Sequence, residues 1–109
     1  MNKQEFLEIY QVCECCDFNR SEQIHHCIFG QRKSEPVAVK RWLNNIINWQ
    51  ATCGDCNVTT RQANHYLNKV KHIEKRMAEG YDVFEWLNQA PDKWQTIAEF
   101  KQLLRIAKG

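Results

Sequence analysis

Long apolar stretches are missing from this 109-residue chain. No run approaches the ~20 residues that a membrane span needs, so a transmembrane reading drops out. Proline occurs twice and glycine four times. There is no internal repeat, low-complexity tract or long linker, which removes fibrous and flexible architectures. The opening MNKQEFLEIYQ is too charged for a secretory leader, so a cytoplasmic protein is expected. A disulfide framework is not expected in that compartment, because thiols stay reduced there. Yet six cysteines are present, and metal binding explains them better. Hydrophobic residues at 43% and charged residues at 26% fit one ordinary soluble domain spanning 1–109.

A large charge of one sign is also absent, since the net is only +2. The distribution is uneven. Residues 1–29 carry two basic and five acidic side chains, whereas residues 30–79 carry nine basic and four acidic ones. That basic middle is compatible with a nucleic-acid face and equally with a solvated surface.

Asn2 followed by Glu5 predicts a capped first helix ending near Val12. The run CECCDFNRSEQIHHCIF predicts a cysteine turn and then a strand, and NWQATCGDCN predicts a return strand into a second cysteine turn. A short helix is expected after Pro36. A long helix is expected over VTTRQANHYLNKVKHIEKRMAEG, stopping at Gly80, with Tyr66, Val70, Ile73 and Met77 on one apolar face. Two further helices, broken at Pro91, complete an α+β chain.

Cys13-x2-Cys16 and Cys53-x2-Cys56 form two knuckles 36 residues apart. Each offers two thiolates, and together they complete the tetrahedral shell that structural zinc prefers. Cys15 offers a less usual alternative to Cys16 as partner of Cys13. Cys15 and Cys27 otherwise read as buried free thiols.

The adjacent His25 and His26 sit in an apolar run. Taken alone, they read as one core histidine and one surface histidine. The surrounding order, CxxC then His-His then Asn48-x4-CxxC then Asn57, resembles the HNH (His-Me finger, ββα-metal) endonucleases over residues 13 to about 65. A looser likeness is to the phage NinG/Rap-type recombination nucleases. The resemblance implies a small ββα-metal core with a four-cysteine zinc knuckle pair at 13–79, an N-terminal helix and a helical C-terminal extension at 80–109. It implies a bacterial or phage-encoded enzyme that hydrolyses DNA phosphodiester bonds, with branched DNA as a candidate substrate. Carried over by position, His26 is the general base and Asn48 supports the loop and orients it. His25 and Asn57 hold a catalytic divalent ion, Mg²⁺ or Mn²⁺, although an imidazole ligand points to a softer ion. Asn44 and Asn45 rival Asn48 as the middle asparagine.

DNA contacts are expected from Arg61, His65, Arg32, Lys33, Lys40, Arg41 and Lys69. On a continuous helix, Asn57, Arg61 and His65 would share one face. His65 also reads as a plain surface residue. Trp42, beside Lys40 and Arg41, is the one tryptophan expected to stack on bases rather than fill the core. A competing reading is a non-catalytic zinc module that binds DNA or protein. Another is a small regulatory protein whose apolar tail docks a partner or a second copy.

Overall fold

The computed structural model describes residues 1–30 and 34–109. Arg32 and Lys33 lie outside the described residues. The first helix, α1 (Lys3–Ile9), is capped by Asn2, whose Oδ1 accepts the Glu5 N–H at 2.8 Å. It stops short of Val12 because Tyr10 leaves helical backbone and Val12 pairs with Arg20 in an isolated bridge. Two strands follow, β1 (Gln23–His26) and β2 (Trp49–Thr52). They pair antiparallel, with Gln23 opposite Thr52 and His26 opposite Trp49. Between them run α2 (Val37–Leu43), which starts after Pro36, and a single 3-10 turn at Ile46–Asn48.

The expected long helix is shorter than its sequence suggests. A wide turn covers Asp55–Thr59 and a 3-10 turn covers Gln62–Asn64, and α3 begins only at Tyr66 and runs to Ala78. Arg61 sits between them in left-handed backbone, at φ 55°. A helix cannot pass through that conformation. Asn57, Arg61 and His65 therefore do not share a helix face. Tyr66 is also exposed rather than apolar core. The helix stops as expected at Gly80, φ 96°, where the Tyr81 N–H reaches the Arg76 carbonyl.

The tail forms three helices: α4 (Val83–Asn88), α5 (Asp92–Gln95) and α6 (Ala98–Lys108). Extended backbone at Ile97 makes the extra break. Their apolar faces pack on Ile28, Phe29, Leu43 and Ile73 to make the main core. Trp42 belongs to this core, which corrects the base-stacking expectation. Its ring stacks on Trp86 at 4.4 Å and 9°, and each indole N–H donates to the other residue's carbonyl, at 2.8 and 3.0 Å. A tryptophan satisfied on its face and at its N–H has no reason to face solvent.

The side of α3 that meets the sheet is polar. Asn68 exchanges hydrogen bonds with Gln50, at 2.8 and 3.0 Å. Arg76, fully buried, forks onto Glu14 at 2.7 and 2.8 Å and donates to the Trp49 carbonyl. Burial raises the Glu14 carboxyl, but the Arg76 guanidinium and the Ala51 N–H outweigh it and leave Glu14 below its usual range. The pair ties the first cysteine knuckle to the far end of α3.

His72 donates from Nε2 to the Ile47 carbonyl at 2.7 Å, and its Nδ1 is buried without a described partner. Burial and the Arg76 cation push its pKa down from 6.5 to about 3. The depressed value means that the folded state resists protonation while the unfolded state accepts it. The stability that neutral His72 contributes is therefore complete above about pH 6.5. It is lost at about 1.4 kcal/mol per pH unit as pH falls towards 3. Between pH 7.5 and 5 the unfolding free energy from urea titration should drop by about 2 kcal/mol more in the parent than in His72→Gln, by the same conversion. Parallel curves would show that His72 is not the group responsible.

Candidate functional site

Two centres flank the hairpin. The first is the cysteine cluster. Cys13, Cys16, Cys53 and Cys56 bring their sulfurs within 4.8 Å of one another, and the Cys16–Cys53 separation is 4.0 Å. A tetrahedral shell with bonds of about 2.3 Å needs sulfur separations of roughly 3.8 Å, so the four thiols fit one metal ion. Local backbone builds each knuckle. The Asp17 N–H returns to the Cys13 carbonyl at 2.8 Å, and the Asn57 N–H returns to the Cys53 carbonyl at 3.1 Å. Asn19 supplies two N–H···S contacts of 3.5 Å, from its backbone to Cys16 and from its amide to Cys53. Burial raises the thiols of Cys13 and Cys56. It also opposes ionisation of Cys53, but hydrogen bonds from the Cys56 backbone and the Asn19 amide win, leaving Cys53 at about 7. The Asn19 backbone N–H draws the Cys16 thiol down as well, and a set of crowded thiols with two of them drawn towards ionisation is suited to a cation. Cys15 is buried beside this group, and Cys27 lies apart, against Asn68 at 3.6 Å.

The second centre is a cleft of about 310 Å³ lined by Ile24, His25, His26, Cys27, Gly30, Asn64 and Lys69. It joins the end of β1 to the segment before α3. His26 places Nε2 3.2 Å from Asn44 Oδ1. The same oxygen accepts the Trp49 indole N–H at 3.1 Å. An indole nitrogen only donates, so the group it meets on Asn44 is the oxygen. His26 must then carry its proton on Nε2, and its Nδ1 lone pair is left without a partner among the described residues.

His25 shows the same pattern one residue earlier. Its Nε2 lies 3.1 Å from the Ala63 carbonyl, which fixes that nitrogen as donor and leaves Nδ1 as acceptor. Burial keeps the ring neutral by pushing its pKa down, against the pull of the carbonyl. A neutral imidazole anchored through its other N–H has the chemistry of a metal ligand.

Asn57 does not line the histidine cleft. Its amide nitrogen donates to Gln23 Oε1 at 2.6 Å, which leaves its own oxygen unengaged among the described residues. Gln23 and His25 are two residues apart on β1, so they share a face of the strand. Asn48 is fully buried. Its Oδ1 accepts from Ile28 and Phe29, and its Nδ2 donates to the Phe29 and Leu43 carbonyls. It fastens the chain leaving β1 to the end of α2 and makes no bond to His26. That contact belongs to Asn44.

Among the basic candidates, Lys69 reaches the cleft but is paired with Glu99 at 2.6 Å. Arg61 and His65 are exposed, His65 over a separate hollow with Gln62 and Lys71. Lys40 and Arg41 occupy the last turn of α2. Sequence reasoning passed over Asn64 and the role of Trp49. The signal for Trp49 was its position opposite His26 once the hairpin register is known. No helix is long and apolar enough to cross a membrane among the described residues. No protein-family model, curated protein or solved structure matches the chain, so its chemistry rests on these two centres.

Proposed function

We propose that the protein is a metal-dependent DNA endonuclease of the HNH, ββα-metal type, with a structural zinc in its four-cysteine site. The observation that carries the reading is the state of His26. Asn44, oriented by Trp49, holds the Nε2 proton of a ring that lines the cleft, and Nδ1 has no partner among the described residues. That nitrogen can take a proton from water as the water oxygen bonds to phosphorus and the bond to the leaving oxygen breaks. His25 Nδ1 would hold the divalent cation at the cleft, and the ion would neutralise charge on the phosphoryl and leaving oxygens. Zinc suits the cysteines because four protein thiolates close the shell and leave no open position for catalysis.

The test is a cleavage assay on supercoiled plasmid, branched DNA and single strands, with Mg²⁺, Mn²⁺, Ni²⁺ or no added metal. Metal-dependent nicking is expected. No cleavage in any of these conditions would leave a non-catalytic zinc module that binds DNA or a protein.

A further inference from the structure

A second cleft, of about 550 Å³, adjoins the histidine cleft, and among the described residues the two share Gly30 and Lys69. Phe29, Trp94 and Ile97 form its apolar surface. Two matched arrangements form its polar sides. Glu99 pairs with Lys69, whose ammonium lies 5.7 Å from the centre of the Phe29 ring. Glu35 pairs with Lys93 at 2.6 and 2.7 Å, and that ammonium lies 4.3 Å from the Trp94 ring.

Each described lysine of this cleft is paired with a carboxylate, so the described side chains present matched charge rather than a cation open to a second phosphate. An aliphatic group would strip water from four charged side chains without replacing their hydrogen bonds. A flat, uncharged group with polar edges satisfies both demands. Its face meets the exposed Ile97 and the margins of Phe29 and Trp94, and its edge meets the ion pairs. Glu99 uses only one oxygen for Lys69, so the other can accept an N–H from such an edge. A nucleobase has this chemistry. The shared wall also makes one base the natural occupant. With a phosphodiester at His25 and His26, the base of the adjoining nucleotide is tethered within reach.

We infer that this cleft binds one unstacked nucleobase beside the scissile phosphate, so that the substrate is single-stranded or locally opened nucleic acid. The inference rests on the nuclease reading for the position of the phosphate. A base inside a duplex would have to leave its stack, at a cost of a few kcal/mol, whereas an unpaired base enters freely.

The experiment uses the zinc-loaded full chain carrying His26→Ala, with no added divalent metal, so that binding is read without cleavage. The probes are a short single-stranded oligodeoxynucleotide, the same strand with one abasic position moved along it, and its duplex. Single strand should bind about tenfold or more tighter than duplex, and one abasic position should cost about tenfold, as a lost base contact does. Ile97 is 43% exposed, so Ile97→Glu should fold normally. It should bring the ratio of intact to abasic affinity close to one, a ratio in which general charge repulsion cancels. Equal binding of intact and abasic strands, equal binding of duplex, or no binding of any probe would overturn the inference. A parent protein that never cuts but keeps the base preference would sink the nuclease reading and leave the base site standing.

Discussion

Cys56→Ser is expected to release the metal and unfold the cysteine end of the protein together. The reason lies in what surrounds the sulfurs. The main core has its tryptophans, phenylalanines and leucines, but the second buried cluster consists of Cys13, Cys15, Cys53, Cys56 and Ala63, with Cys16 beside it. Among the described residues no large side chain belongs to that cluster, so a bound ion would replace the hydrophobic contacts found elsewhere. A structural zinc contributes about 10–16 kcal/mol in apparent binding free energy, as much as the whole stability of an ordinary domain, about 5–15 kcal/mol. Loss of Glu14's surroundings should follow. It stands between Cys13 and Cys15 and holds Arg76, and a buried arginine left without its carboxylate costs about 3–5 kcal/mol. The parent should carry one zinc per chain by elemental analysis, and chelation should reproduce the variant's loss of ellipticity. Cys15→Ser should keep the zinc, since Cys15 is not among the four converging sulfurs. Zinc-free protein with an unchanged melting temperature would remove the idea.

The cysteine centre was legible in the sequence because each knuckle is a local motif. Four residues fix its backbone, and only the meeting of the two knuckles needs the hairpin. The two strands were legible too, since QIHH and WQAT are bounded by turn residues. What escaped was set by distant partners. Trp42 stands next to Lys40 and Arg41 in sequence, but the residue that decides its place is Trp86, 44 positions away. The polar seam of α3 escaped for the same reason. Its apolar spacing at Val70, Ile73 and Met77 is real, yet Asn68, His72 and Arg76 beside it are buried by Gln50, Ile47 and Glu14. The break at Arg61 has no compositional warning, because left-handed backbone there is held by the turns on both sides rather than by a glycine. The choice between Asn44 and Asn48 could not be made from spacing alone. Both lie within reach of the hairpin, and burial separates them. Asn48 is enclosed with all its hydrogen bonds spent on backbone, while Asn44 is exposed and faces a ring.

His26→Ala should leave the zinc and the fold in place and lower cleavage by roughly 10²–10⁴-fold, the range for a lost general base. The fold should persist because His26 is only half-buried and its one described hydrogen bond goes to Asn44, a side chain that water can reach. His25→Ala should behave differently. Removing a ligand weakens the added metal, so raising its concentration should restore part of the rate, which it cannot do for His26→Ala. Asn44 adds a test independent of turnover. Nitrogen NMR of the parent should find His26 protonated on Nε2, and Asn44→Ala should return the ring to a mixture of tautomers. Asn44→Asp would keep the acceptor but place a carboxylate against the Nε2 proton. That favours the charged ring, so the acid side of the pH–rate profile should move to higher pH. His26 protonated on Nδ1 in the parent, or full cleavage by His26→Ala, would show that this nitrogen does not take the proton from water.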